Sequence, residues 1–308
     1  MEVLGRVTQG TITNQLLRNI NKNMSQMQGL QEQLSTGMKI NRPSDDPVGI
    51  TYSLRYRSDL SLNERYQTNV SSALSWLDFN DTLLAQVGEV TKRIKELTVQ
   101  GANGTNPDVA LDNVAEEIKQ LKDQLVDIAN SQFKGKYVFN GQFTDQKPYT
   151  SATPANVITD SGNLDYLINS GVQLSVNLIG NDVFGYPPPG VAAPKNEDDN
   201  LFYVIDQIVA NLEAGNHSGA SDQISKLEIR MDKILTQRAE VGARVNRVEM
   251  MEQRLIDLNI NLETLQSKTE DAEIEDLIIR AKVNESVYQA SLSVGAKVIQ
   301  PSLVDFLR

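Results

Sequence analysis

The 308 residues include 29 Lys and Arg against 40 Asp and Glu, a net charge of −11. That acidic balance, with a pI near 4.7, argues against a nucleic-acid or anionic-membrane partner, which would want a basic patch. Cysteine is absent, which excludes disulfides, thiolate metal sites and cysteine nucleophiles. Aromatics at 6% and a mean hydropathy of −0.34 suit helical bundles and coiled coils better than one large compact core.

The N-terminal stretch lacks the apolar segment of a secretory signal, so no cleavable leader is expected. From about 11 to 38, Ile12, Leu16, Ile20, Met24, Met27, Leu34 and Met38 recur at steps of three and four, predicting an amphipathic helix about 40 Å long. Its other face is Asn, Gln and Ser, so it needs a partner to bury the stripe. Asn41, Arg42 and Pro43 then interrupt the helix, and Pro43 biases Arg42 towards extended backbone. A second helix restarts at once, with Asp46 as N-cap and Pro47 at the first helical position. Asp45 and Asp46 together place negative charge at the positive end of its dipole.

Tyr66, Val70, Ala73, Leu77, Leu84, Val87, Ile94 and Leu97 form a heptad seam, with polar Asn80 and Thr91 occupying two of its places. Trp76 and Phe79 flank it as anchors. Loop chemistry over 101–107 ends this helix, and Leu111, Val114, Ile118, Leu121, Leu125 and Ile128 give the next. Over 137–141, Tyr-Val-Phe-Asn-Gly predicts a short strand followed by a two-residue hairpin turn. Val172, Leu174, Val176 and Leu178 alternate with polar residues as a half-buried strand. Helix resumes after 198–200, with Leu201, Val204, Ile205, Ile208, Val209 and Leu212, then pauses in a loop over 215–219. A long pattern from Ile224 through Val245, Val248, Met251, Leu255, Leu258, Leu262 and Leu265 follows. Its two successive steps of three shift the winding. Leu277, Ile278, Ala281, Val287, Leu292, Val298, Leu303 and Phe306 close the chain, with Pro301 ending the last helix.

The fold class expected is therefore mainly α. The N- and C-terminal regions form a long antiparallel helical bundle or coiled coil, with a small β-rich insertion in the middle. The divisions read as 1–43 (assembly helix and joint), 44–136 (first half of the helical core), 137–196 (β-rich insertion), 197–255 (second half) and 256–308 (C-terminal assembly helix). The amphipathic ends lack local partners, so they pair with each other and stack between subunits.

No catalytic constellation emerges. The single histidine, His217, is expected in a solvated loop without acidic neighbours. No phosphate loop, nucleophile elbow or zinc motif is present. The carboxylate pairs at 45–46, 116–117 and 198–199 and the run over 270–276 read as helix caps and solvated faces rather than metal or acid–base sites. The Asn69-Val70-Ser71 triplet falls within a helix pattern. Neither an enzyme nor a cofactor is expected, and no transmembrane run is present.

Several of these stretches resemble one family. Leu34-Ser35-Thr36-Gly37 and Ile40-Asn41-Arg42-Pro43-Ser44-Asp45-Asp46-Pro47 closely resemble the N-terminal region of bacterial flagellins and flagellin-like junction proteins. The stretch from Glu96 to Asn103 looks like the end of that region, and 135–141 is similar to the family's first β segment. Glu270 to Ile274 and Gln289 to Leu292 are similar to its C-terminal region. Pro47 after the two aspartates, where filament flagellins carry small residues, resembles the hook–filament junction members. So does the tail over 294–307, although Arg308 is an extra residue.

The resemblance implies a structural subunit exported unfolded through the flagellar type III channel to the extracellular flagellum. A cytoplasmic export chaperone would guard its C-terminal helix. Its partners would be the preceding hook-associated junction protein, filament flagellin and copies of itself in a ring. Assembly contacts are expected from Ile12, Leu16, Ile20, Met24, Met27, Leu34, Leu255, Leu258, Leu262, Leu265, Ile278, Val287, Leu292, Leu303 and Phe306. The joint comprises Asn41, Arg42, Pro43, Asp45, Asp46 and Pro47. A minimal filament flagellin is the alternative; an enzyme in the insertion or a coiled-coil signalling protein fits the residues poorly.

Overall fold

The computed structural model describes residues 9–103 and 107–299. Its elements run α1 (Gln9–Thr36), α2 (Pro47–Ala102), α3 (Asp108–Ala129), β1 (Gln132–Phe133), β2 (Lys136–Tyr137), β3 (Asp165–Asn169), β4 (Val172–Ser175), α4 (Gly180–Phe184), α5 (Leu201–Glu213), α6 (His217–Glu270) and α7 (Ile274–Ile299). The protein is mainly helical, and its strands are confined to the middle of the chain. Residues group into two compact units, 1–62 with 258–308, and 63–257.

The second unit holds the continuous apolar core. In α6, Leu227, Ile234, Val241, Val248 and Leu255 recur every seven residues and are all fully buried, the repeat of a coiled-coil seam. The α2 seam is buried too, from Val70 through Leu97, and Asn80 and Thr91 are as buried as their apolar neighbours. Thr91 donates to the Val87 carbonyl (2.7 Å) and Asn80 donates to the Val176 carbonyl (2.8 Å), while the Asn80 Oδ1 is buried with no hydrogen-bond partner among the described residues. Trp76 meets Phe133 edge-on at 5.3 Å, so the anchor predicted beside the seam receives the β1–β2 hairpin.

The insertion is built differently from its sequence pattern. Chain reversal occurs at Lys134 and Gly135, both at positive φ, as the right-handed twist of a tight hairpin demands. Asn140-Gly141 does not join two strands. Asn140 bridges Ile179 instead, and its side-chain amide donates to the carbonyls of Phe143 and Gln146. β3 and β4 pair antiparallel, with Tyr166 opposite Leu174. Phe139, Tyr149, Phe184 and Phe202 form one buried ring cluster with centroids 5.3 to 5.5 Å apart.

His217 is a correction. It opens α6 rather than lying in a loop, and its Nδ1 is 3.0 Å from the Gly101 carbonyl, one of the last acceptors of α2. Asn216 caps the new helix by accepting from the Gly219 N–H at 3.0 Å.

Asp199 is a second correction, being neither a cap nor solvated. Arg230, 1% exposed, donates to Glu197 at 2.5 Å and pairs with Asp199 at 3.0 Å. Lys233 completes the set, 2.9 Å from Asp199. The N-cap of α5 is Asn200, whose side chain accepts from Tyr203. Burial would push the Glu197 carboxyl upward, but Lys195, Arg230 and Lys233 overcome it and bring the group down to about 2. Removing one partner from a buried ion cluster strands the others. Arg230→Ala should therefore destabilise the second unit by about 3–5 kcal/mol, read as a lower urea midpoint. A loss under about 1 kcal/mol, the value of a surface pair, would show the cluster to be solvated.

Candidate assembly interface

The stripe that opens the chain becomes α1, and its partner is α7. The two run antiparallel: the Gly37 carbonyl accepts from the Ala272 N–H (3.0 Å), Asn23 donates to the Ser291 hydroxyl (3.4 Å), and Leu16 lies against Gly295. A Cβ on Gly295 would stand 2.9 Å from the Leu16 Cδ2, so glycine is what admits Leu16 there. Leu16, Ile20, Met27 and Leu34 are half-buried along this seam, while Ile12 and Met24 on its margin are exposed.

One seam does not cover the apolar surface of the pair. Ile274, Ile278, Ile279, Val283, Val287, Leu292 and Val294 of α7 are all exposed, as are Leu258 and Leu265 on α6. Leu262 is buried within this unit and Leu255 within the core of the other. Leu303 and Phe306 lie outside the described residues. A two-helix hairpin has too little interior to hide residues on its outer faces, and so large a run of exposed aliphatics is a candidate interaction surface.

The joint is ordered by short-range hydrogen bonds. Gly37, at φ 70°, ends α1 two residues before the predicted limit, a common helix stop that needs no Cβ. Asp46 accepts from the N–H groups of Val48 (3.1 Å) and Gly49 (2.9 Å) and so caps α2 with Pro47 first in the helix. Asp45 does something else: it accepts from the N–H groups of Asn41 and Arg42 at 3.1 and 2.8 Å. It closes the turn that leads into α2. Asn41 donates to the Met38 carbonyl, and the Arg42 Nη2 donates to both carboxylate oxygens of Glu32. Pro43 is exposed.

Glu270 was missed by sequence reasoning, which placed it on a solvated face. It is 2% exposed and lies where α6 meets α7. Arg57 donates to both its oxygens at 2.9 and 2.6 Å, Ser53 donates to Oε1, and Gln266 donates to both. Its backbone carbonyl accepts from Lys39, just beyond α1. The Arg57 hydrogen bond outweighs burial and holds the carboxyl below the usual range. The missed signal was Ser53 and Arg57, four residues apart on one face of α2.

Among the described residues, no group of three or more His, Cys, Asp and Glu side chains could hold a metal ion, and no helix is long and apolar enough to cross a membrane.

Comparison with known proteins agrees with this arrangement. The profile of the bacterial flagellin N-terminal helical region matches residues 7–144. Flagellar hook-associated protein 3 of Salmonella typhimurium is 24% identical, with 93% of this chain and 94% of that protein aligned. Flagellin of Bacillus subtilis is 27% identical over 92% and 93%. Among solved structures, a putative flagellar hook-associated protein from Vibrio parahaemolyticus has a TM-score of 0.65 at 20% identity, covering 74% of this chain and all of that one. Bacillus cereus FlgL has a TM-score of 0.58 at 20% identity, covering 69% and 99%. These likenesses establish the shared fold. Along most of its length the chain is similar to flagellar hook-associated and filament proteins.

Glu270→Gln keeps the shape but loses the charge-assisted pairing, a change of about 1–2 kcal/mol. A depressed native pKa stabilises above the unfolded value of 4.5 and is lost as pH falls through the native value. The wild-type first unit should therefore lose protection from proteolysis as pH drops below 4.5, whereas E270Q should already be weakened at neutral pH and respond less to acid. Identical pH profiles for the two would remove Glu270 from this role.

Proposed function

We propose that the chain is a hook–filament junction subunit, which polymerises through its terminal helices into a ring between the preceding hook-associated protein and the first filament flagellins. The observation that carries the reading is the α1–α7 pair: it has one buried seam and leaves Ile278, Val287, Leu292 and their neighbours exposed. In a ring or tube these faces pack against the same faces of other copies, where burial of each aliphatic side chain contributes about 1.5–3 kcal/mol. The choice of junction over filament is supported by Pro47 after Asp45-Asp46 and by the tail over 294–307. The relatives point the same way in part, since hook-associated protein 3 recurs among them.

Before export, the same exposed face of α7 is the natural target for a cytoplasmic chaperone. Export through the flagellar channel as an unfolded chain is compatible with an absence of cysteine. The joint residues from Asn41 to Pro47 hold the N-terminal assembly helix at a fixed turn from α2. A minimal filament flagellin is the second reading, favoured by Bacillus subtilis flagellin matching at 27% identity over most of both chains.

Deletion of the gene followed by electron microscopy separates them. A junction subunit predicts intact hooks without filaments, with flagellin shed into the medium; continued filament assembly would contradict it. Ile278→Asp with Val287→Asp, both on exposed positions, should leave helicity unchanged and abolish incorporation into flagella. Normal motility in that double variant would sink the role given to α7.

A further inference from the structure

Two demands of the fold meet at Asn140-Gly141. Gly141 has φ 57°, and a Cβ on it would collide with the backbone carbonyl of Asp160, so glycine is what fits there. Asn140 is 8% exposed, and its side chain is a peg between loops. The amide nitrogen donates to the carbonyls of Phe143 and Gln146, both at 3.1 Å, and the amide oxygen accepts from the Asp160 N–H at 3.4 Å. The Asn140 carbonyl accepts from the Phe143 N–H at 3.0 Å, and the residue bridges Ile179. An aspartate in its place would have no N–H to offer and would set negative charge against two carbonyls.

The pair so imposed is chemically labile. In a mobile Asn-Gly segment the glycine nitrogen, unshielded by any Cβ, reaches the asparagine Cγ. The Gly141 N–H gives its proton to hydroxide and the nitrogen bonds to Cγ. The bond from Cγ to the side-chain nitrogen then breaks, and that nitrogen leaves as ammonia with a proton from water. A further water opens the cyclic imide at one of its two carbonyls, leaving aspartate or isoaspartate. The folded turn opposes every stage. Hydrogen bonds hold both ends of the Asn140 amide, and burial keeps hydroxide and water away. The Asp160 carboxylate, which accepts from the Gln142 N–H at 2.7 Å, disfavours an amide anion on the adjoining residue.

We propose that Asn140-Gly141 is a self-modification site, open in the unfolded chain and closed by folding. Conversion destroys the peg, so a chain that lingers unfolded loses the means to close its insertion. The reaction needs only hydroxide and water, and it stands apart from whatever the terminal helices assemble into.

The sequence holds a second Asn-Gly pair, Asn103-Gly104, which serves as the reference in unfolded chain. The full-length protein is incubated in mildly alkaline buffer with and without urea, and conversion is read by peptide mass and by isoaspartyl methylation. In urea the two pairs should convert at similar rates. Without urea Asn140 should slow by about tenfold or more, because it then reacts only through opening of the turn. Gly141→Ala should slow conversion at Asn140 in urea and leave Asn103 unchanged, the mark of attack by the glycine nitrogen. Asn140→Asp, which makes one converted product directly, should lower the urea midpoint of the protein. An equal rate at Asn140 in folded and unfolded chain, indifference of that rate to Gly141→Ala, or a wild-type midpoint for Asn140→Asp would each overturn the proposal.

Discussion

The first unit depends on one buried carboxylate. Glu270 ends α6, and its side chain collects Ser53, Arg57 and Gln266 while its backbone carbonyl takes the N–H of Lys39. Two parts of the chain that lie far apart in sequence are thereby referred to one residue: the stretch from the end of α1 into the start of α2, and the end of α6. Such a charge is tolerated inside only because its oxygens are fully used and a guanidinium stands beside it. The cluster supplies direction more than stability, since a hydrophobic contact of the same size would hold the segments with less geometric demand. What it directs is the departure of the α1–α7 pair.

The exposed aliphatics of α7 then follow from simple geometry. Two helices share one seam, and every apolar residue off that seam faces solvent until another chain arrives. The net charge of −11 works against premature association, while α1 carries few charges to oppose packing along its length.

Much of this was legible in the sequence, because heptad spacing is a direct image of burial. The seam positions of α2, and the seven-residue repeat of α6, come from residue spacing alone. So did Asp46 and Pro47, since capping chemistry is local. Other features were not legible because they are decided by distant residues. Asn140-Gly141 carries the strongest local hairpin signal, yet Ile179 engages Asn140 and the reversal falls at Lys134-Gly135 instead. Asp199 and Glu270 read as ordinary surface carboxylates because the arginines that bury them, Arg230 and Arg57, are remote in sequence. His217 looked like a loop residue, and only the arrival of Gly101 from α2 gives it a helix end to serve.

The central claim is that the outer faces of α1 and α7 are covered by other copies in the flagellum and by nothing in the free chain. Amide hydrogen exchange, measured for this chain alone and in assembled flagella, tests it most directly. The account predicts rapid exchange through α7 in the free chain and strong protection of the same peptides after assembly, with the 63–257 core protected in both. Protection of α7 that is already complete in the free chain, and unchanged by assembly, would contradict it.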